Sequence, residues 1–213
     1  MIADDHIVFI VDDDRRVREA ICELLAAVGR HAVAFGSAAA YMAFPKPDLP
    51  ACLVLDIELP DINGLELQAR IAEALHPPIV FITGHGDIPS SVRAVKRGAV
   101  DFLTKPFGDQ ALLAAIDAAV ELDKAARAER TEIEKLRQRL ATLTPRERDV
   151  LPLVVSGLLN KQAAMELGIS EITLQIHRGK IMRKMEAASL ADLVRIAEKL
   201  RIPITHSRRA GTS

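Results

Sequence analysis

Apolar residues in the first half of the chain come in short, dense runs, at residues 6–11, 32–35, 51–55, 79–83 and 100–103. Each run spans about 4–6 residues, is rich in Val, Ile, Leu and Phe, and shows no regular polar alternation, as expected of strands buried on both faces. Between the runs, apolar positions recur at helical spacing over residues 17–28, 37–44, 65–75 and 88–97 and from Asp109 onward, with Asp109 placed as an N-cap. Strict alternation of five strands and five helices predicts a doubly wound α/β domain on a five-stranded parallel sheet. Ligands of such sheets lie beyond the carboxyl ends of the strands, so those positions are expected to carry the chemistry.

Past Asp109 the pattern changes. No Gly or Pro interrupts residues 109–144, and apolar residues fall on a heptad: Leu112, Ala115, Ala119, Leu122, Ala126, Ile133, Leu136, Leu140 and Leu143, broken once by Glu129. The first part is expected to pack on its own sheet. The later part reads either as a dimeric coiled coil or as a connecting helix resting on its own domains. Thr144-Pro-Arg-Glu is a capping box with Pro at the first helical position. That helix ends at Gly157. Asn160 is expected to cap a second, ending at Gly168; Ser170 a third, running to about Met185; and Ser189, with Asp192 three residues on, a fourth that stops before Pro203. Four short helices without a strand signal describe a small all-α domain.

Composition sharpens this division. Half the residues are apolar and about a quarter charged, which excludes disordered and fibrous classes. Trp is absent and aromatics are few, so an aliphatic core is expected. Cys22 and Cys52 cannot make a disulfide framework. No apolar run approaches the roughly 18 residues of a membrane span, and residues 1–5 are acidic rather than Lys/Arg-led, so neither a membrane partner nor a signal peptide is expected. A cytoplasmic location fits these features. The net charge of −1 hides an asymmetry: residues 1–122 hold 10 Lys+Arg against 18 Asp+Glu, and residues 123–213 hold 18 against 11. This split favours two domains, the second with a polyanionic partner, over the alternative of two halves that merely attract each other.

In the acidic half, Asp12 and Asp13 follow the first strand, Asp56 the third and Lys105-Pro106 the fifth, while Thr83 closes the fourth. Parallel topology makes these ends neighbours. Crowded carboxylates call for a hard divalent cation, Mg²⁺ by preference. A carboxylate beside it can act as a nucleophile toward phosphorus, and a Lys and a Thr hydroxyl opposite would neutralise and hydrogen-bond phosphoryl oxygens. The segments Phe9-Ile-Val-Asp-Asp-Asp, Leu53-Val-Leu-Asp, Pro60-Asp-Ile-Asn-Gly, Phe81-Ile-Thr-Gly-His-Gly-Asp and Asp101-Phe-Leu-Thr-Lys-Pro-Phe resemble the receiver domain of two-component response regulators, in particular the FixJ-like group. The resemblance implies a CheY-like receiver whose Asp56 accepts a phosphoryl group from a sensor histidine kinase. It implies Mg²⁺ held by Asp13, Asp56 and the Glu58 backbone carbonyl, with Asp12 adjacent and acting through water. It further implies Thr83 and Lys105 on the phosphoryl oxygens, Thr83 and Phe102 as switch residues, and a cis Lys105–Pro106 bond. The Glu58 side chain, two residues past the acceptor, is placed to affect water access. Receiver pairing is expected on the face from residues 88–97 through 100–103.

In the basic half, the small Ala164 and the turn-forming Gly168 bracket a helix and turn, with Leu167, Ile169, Leu174 and Ile176 as a buried side; this is the content of a helix-turn-helix. The next helix is expected to expose Thr173, Gln175, Arg178, Lys180, Arg183 and Lys184, of which Gln suits adenine edges and Arg and Lys suit guanine and phosphate. Leu143-Thr-Pro-Arg-Glu-Arg, Gly157-Leu-Leu-Asn-Lys-Gln, Leu167-Gly-Ile-Ser, His177-Arg-Gly-Lys-Ile-Met-Arg-Lys-Met and Ser189-Leu-Ala-Asp-Leu-Val-Arg are similar to the LuxR/FixJ/NarL-type output domain. That resemblance makes residues 171–185 the recognition helix on double-stranded DNA. Its candidate contacts are Glu171, Thr173, Gln175, Ile176, Arg178, Gly179, Lys180 and Arg183, with Lys161 on a phosphate. Leu190, Leu193, Val194 and Ala197 would pair two output domains. Pro152, inside the first output helix, is expected to remove a hydrogen bond and kink it.

The domains expected are a receiver over residues 1–122, a helical linker over 123–141, an output domain over 142–205 and a flexible tail over 206–213. The function expected is that of a phosphorylation-controlled transcription factor that dimerises on phosphorylation and is no enzyme beyond its own phosphoryl transfer and slow dephosphorylation. Two competing readings use the same residues. One is a phosphatase of the haloacid dehalogenase kind, disfavoured by the basic helix-turn-helix and the lack of room for a substrate cap. The other is an interaction protein whose receiver no longer accepts phosphate.

Overall fold

Five parallel strands, β1 Ile7–Val11, β2 His31–Phe35, β3 Ala51–Asp56, β4 Ile79–Thr83 and β5 Asp101–Thr104, form one sheet in the order β2-β1-β3-β4-β5. This is the doubly wound arrangement expected, seen in a computed structural model that describes residues 6–71, 76–84 and 98–203. Helix α1 spans Arg15–Ala27, α2 Ala38–Ala43, α3 Gly64–Ile71 and α4 Asp109–Ala141. The helix expected at 88–97, and with it most of the proposed receiver-pairing face, lies outside the described residues, as do residues 72–75 and the tail at 206–213.

The absence of polar alternation in the strands has a direct cause. Alternate residues of β1, β3 and β4 enter two separate apolar layers: Phe9, Leu53, Leu55 and Phe81 one, Ile10, Cys52, Val54, Val80 and Ile82 the other. The second layer is closed by Ile21 and Leu25 of α1 and by Leu112, Ala115, Ile116 and Ala119 of α4. The first departs from the aliphatic core expected. Phe9, Phe35, Tyr41 and Phe44 meet there with ring centroids 5.3–6.3 Å apart, mostly edge to face. The few aromatics of the chain are concentrated rather than scattered, and such pairs add to the gain from burial alone.

The chain divides into two compact units, Met1–Arg127 and Ala128–Ser213, with the division falling inside α4. The second unit contains α5 Pro145–Val155, α6 Asn160–Leu167, α7 Glu171–Lys184 and α8 Leu190–Lys199. Its core takes in Leu136 and Leu143, with Leu140 packed against it. Three positions of the later heptad are therefore occupied by packing within their own unit, while Leu122 is exposed.

Local capping follows the sequence with two corrections. Thr144 and Glu147 form the reciprocal capping box, Glu147 N–H donating to Thr144 Oγ1 at 3.3 Å and Thr144 N–H to Glu147 Oε2 at 2.8 Å. Ser170 and Ser189 cap α7 and α8. Asp109, however, is the first helical residue of α4 rather than its cap: the Gly108 carbonyl accepts from Ala111 and Leu112. Asn160 is likewise already helical, and Leu159 precedes α6 with extended backbone. Helix α5 continues through Pro152, whose carbonyl still accepts from the Ser156 N–H at 3.0 Å; burial of Val150, Leu151, Leu153, Val154 and Val155 around it holds the helix together.

Candidate functional sites

The carboxyl ends of β1, β3 and β5 bring charged side chains into one pocket. Asp12, just past β1, is wholly buried, and Asp56, the last residue of β3, is nearly so. Lys105 follows β5 and reaches between them, donating from Nζ to Asp12 Oδ2 at 2.7 Å and to Asp56 Oδ2 at 2.6 Å. The remaining carboxylate oxygens accept from backbone, Asp12 Oδ1 from Asp14 N–H at 2.8 Å and Asp56 Oδ1 from Glu58 N–H at 3.1 Å. Asp13 is exposed, and ligand oxygens of Asp12, Asp13 and Asp56 all lie within 4.8 Å of one another. An all-carboxylate donor set of that size fits a hard cation such as Mg²⁺, with positions left for water and phosphate oxygen.

Electrostatics in the pocket is a balance between burial and pairing. Burial raises the Asp12 carboxyl above its ordinary value; the hydrogen bonds from Lys105 and Asp14 pull it back and the charge of Asp56 pushes it up again. Burial works against the Lys105 ammonium, but the hydrogen bonds and charges of Asp12 and Asp56 outweigh it, and Lys105 is raised. The ammonium is thus fixed as a cation between two carboxylates.

Thr83 ends β4 and is buried, and its carbonyl accepts from the Lys105 N–H at 2.7 Å. The Lys105–Pro106 bond is cis. Phe102 is half-buried against the aromatic layer and lies opposite Phe81 in the β4–β5 register. The Glu58 side chain is exposed.

Three supporting residues escape a reading of side-chain chemistry because their partners are backbone atoms. Arg18 of α1 donates to the carbonyls of Asp12 at 2.6 Å and Asp13 at 2.9 Å, holding the acidic loop from below. Asp61 accepts from the N–H groups of Ala38 at 3.3 Å and Ala39 at 2.9 Å, tying the loop after β3 to the start of α2. Those bonds lower the Asp61 pKa. Gly64 donates to the Ile57 carbonyl at 2.8 Å, and a Cβ there would collide with the Asp56 carbonyl and lie 3.0 Å from Ile57 Cα. A glycine is therefore required for α3 to start so close to β3. Only the Asp-Ile-Asn-Gly string hinted at this.

The second candidate site is the helix-turn-helix of the second unit. Gly168 ends α6 in the left-handed conformation (φ 64°, ψ 34°), and the Ile169 N–H returns to the Ala164 carbonyl at 3.0 Å. Ser170 Oγ accepts from the Thr173 N–H at 3.1 Å and is also bonded to the Thr173 hydroxyl at 2.7 Å. On α7, Leu174 and Ile181 are buried. Ile176, expected on the buried side, is instead 53% exposed, because it lies about 200° around the helix from Leu174. Glu171, Gln175, Gly179, Lys180 and Arg183 are exposed, as is Lys161 on α6. Thr173 and Arg178 are half-buried, and Arg178 donates to Asn160 Oδ1 at 3.0 Å, which is where the Asn160 side chain is used. Lys184 is not part of the exposed set: it donates to Glu147 Oε2 at 2.7 Å and to the Thr142 carbonyl at 3.0 Å, and it holds the Glu147 carboxyl down to about 2. In α8, Leu193 and Ala197 are wholly buried in their own core, so Leu190 and Val194, half-buried, are the residues of that stripe that reach the surface. Among the described residues, no helix is long and apolar enough to cross a membrane.

Comparison with known proteins matches both regions. Residues 8–117 fit the response regulator receiver domain and residues 141–197 the bacterial regulatory proteins of the luxR family. The chain is 50% identical over 204 residues to nodulation protein W of Bradyrhizobium diazoefficiens, covering 95% of this chain and 90% of that protein. It is 43% identical over 194 residues to the transcriptional regulatory protein FixJ of Rhizobium meliloti, covering 91% and 95%. Among solved structures, the response regulator StyR superposes with a TM-score of 0.78 at 45% identity, covering 92% of this chain and 99% of that one. Full-length FixJ from B. japonicum gives 0.53 at 36% identity, covering 92% and 98%.

Proposed function

The chain belongs to the response regulators that join a receiver domain to a LuxR-type DNA-binding domain, and from that premise we propose that a sensor histidine kinase phosphorylates Asp56 and that phosphorylation promotes dimerisation and operator binding. The observation that carries this reading is the joint hold of Lys105 on Asp12 and Asp56. In the transfer, an Asp56 carboxylate oxygen attacks the phosphorus of a phosphohistidine. A P–O bond forms, the P–N bond breaks, and its electron pair leaves with the imidazole. Lys105 neutralises charge on the phosphoryl oxygens and the Thr83 hydroxyl bonds one of them. Mg²⁺, held by Asp13, Asp56 and the Glu58 carbonyl with Asp12 nearby, supplies further positive charge when bound. Movement of Thr83 toward the phosphoryl group opens space for Phe102 to turn inward. Beyond its own phosphorylation and slow hydrolysis, the chain is no enzyme.

Residues 1–122 serve as receiver, 123–141 as linker and 142–205 as output domain. Lys161 and the exposed residues of α7 meet DNA, and Leu190 and Val194 contribute to pairing of two output domains on a two-fold operator. A regulator of this kind works in the cytoplasm. The test is a footprint on duplexes selected by the chain from a random-sequence library, with and without acetyl phosphate and Mg²⁺. Donor-dependent protection and dimer mass are expected from the native chain, and neither from Asp56→Asn. Equal protection by both proteins in the presence of donor would contradict the reading.

A further inference from the structure

Helix α7 carries an apolar stripe that its own fold does not use. Ile172 is 72% exposed and Ile176 53%, four residues apart and so on one face of the helix. Gly179, the next position along that face, adds no side chain, and a Cβ placed there would meet nothing within 4 Å. Its φ is ordinary for a helix, so the fold requires no glycine. A glycine inside a helix weakens it relative to alanine. The stripe thus exposes two large aliphatic side chains and one helix-weakening residue, with no return inside the chain.

The surroundings say what covers it. Helix α7 exposes Lys180 and Arg183 against one acidic residue, Glu171, with Arg178 half-buried beside them, and Lys161 is exposed on α6. A charged frame of this sign suits a polyanion. The stripe also begins at the first turn of the second helix of a helix-turn-helix, the part that meets base edges. The apolar group a base edge offers in the major groove is the thymine C5-methyl. Residues four apart are separated by about 6 Å along the helix, close to two base steps of about 3.4 Å each.

We propose that the operator is read in part through thymine methyl groups: Ile172 and Ile176 pack on two such methyls about two base pairs apart in each half-site, and bare Gly179 lets α7 approach the bases closely. This rests on the DNA-binding reading above and adds the chemistry of the sequence recognised. Gln175, exposed on the adjoining face, is suited to the adenine edge of the same A·T-rich site.

The experiment uses the full chain with acetyl phosphate and Mg²⁺. A random-sequence duplex library is selected on it, and each thymine of the selected site is then replaced singly by uracil, which keeps base pairing and lacks the methyl. Binding weakened about four-fold is expected at two positions per half-site, the loss that follows from one methyl removed from an apolar contact. Ile172→Ala is expected to be insensitive to one of these replacements and Ile176→Ala to the other. Both side chains are exposed, so the variants should keep the native unfolding temperature. Gly179→Ala should raise that temperature by a few degrees and weaken binding about ten-fold or more. A selected site insensitive to uracil at every position, or Gly179→Ala binding as tightly as native, overturns the proposal and leaves DNA binding standing. Variants that lose dimer mass while keeping uracil sensitivity assign the stripe to a protein contact and overturn it also. A library from which no sequence is enriched overturns both this proposal and the DNA-binding reading.

Discussion

The acidic pocket and the basic helix use charge in opposite ways. At the end of the sheet, Asp12 and Asp56 are buried and answered from inside the chain, by Lys105 and by backbone N–H groups. On α7, Gln175, Lys180 and Arg183 face solvent around an apolar stripe. A site whose charges are satisfied internally belongs to the stability of its domain, and changing it disturbs fold and chemistry together. A site that faces outward can be altered with little effect on the fold. Substitutions therefore should divide by whether they touch a buried partner.

The largest effect on stability is expected at the centre of the pocket. Lys105→Ala leaves two buried carboxylates facing each other and should cost about 3 kcal/mol in chemical denaturation without added cation. Because the acidic cluster then lacks its internal cation, Mg²⁺ should raise the unfolding midpoint more in this variant than in the native chain. An equal response would separate Lys105 from the cluster. Next, Gly64→Ala drives a methyl group against the Asp56 carbonyl and should cost about 2–3 kcal/mol, read from the same denaturation curves.

In the basic unit, Lys184 departs from the outward pattern by facing inward onto Glu147. Glu147 is held down to about 2 by Lys184 and by its capping bond. A carboxyl with a depressed native pKa contributes stability that is complete above its unfolded value of about 4.5 and lost as pH falls toward 2. The second unit should lose about 2 kcal/mol over that interval, and Glu147→Gln should flatten the profile. The smallest effect is expected at Asp61→Ala, which strips two N–H groups of α2 of their acceptor and should cost about 1 kcal/mol, seen as a small drop in thermal midpoint.

The strands were legible because both layers they feed are apolar, and parallel topology then made neighbours of Asp12, Asp56 and Lys105. The aromatic layer was less so: Phe9, Phe35, Tyr41 and Phe44 are scattered in sequence and meet only through the β1–β2 pairing and the return of α2. Arg18, Asp61 and Gly64 were hidden for a different reason, since their partners are backbone atoms rather than complementary side chains. On α7 the helical period placed Leu174 correctly on the buried side, and the error at Ile176 came from reading hydrophobicity as burial. The heptad of α4 was real as a pattern, but Leu136, Leu140 and Leu143 use it to pack into their own unit.

Phosphoryl acceptance by the Asp56 carboxylate, paired with Lys105, is open to a direct chemical readout. Incubation of the native chain with acetyl phosphate and Mg²⁺, followed by borohydride reduction and peptide mass analysis, reads the modified carboxyl directly. Homoserine at position 56 is expected, with an unmodified peptide in the donor-free control. Homoserine at Asp12 or Asp13 instead, with Asp56 unmodified, would contradict it.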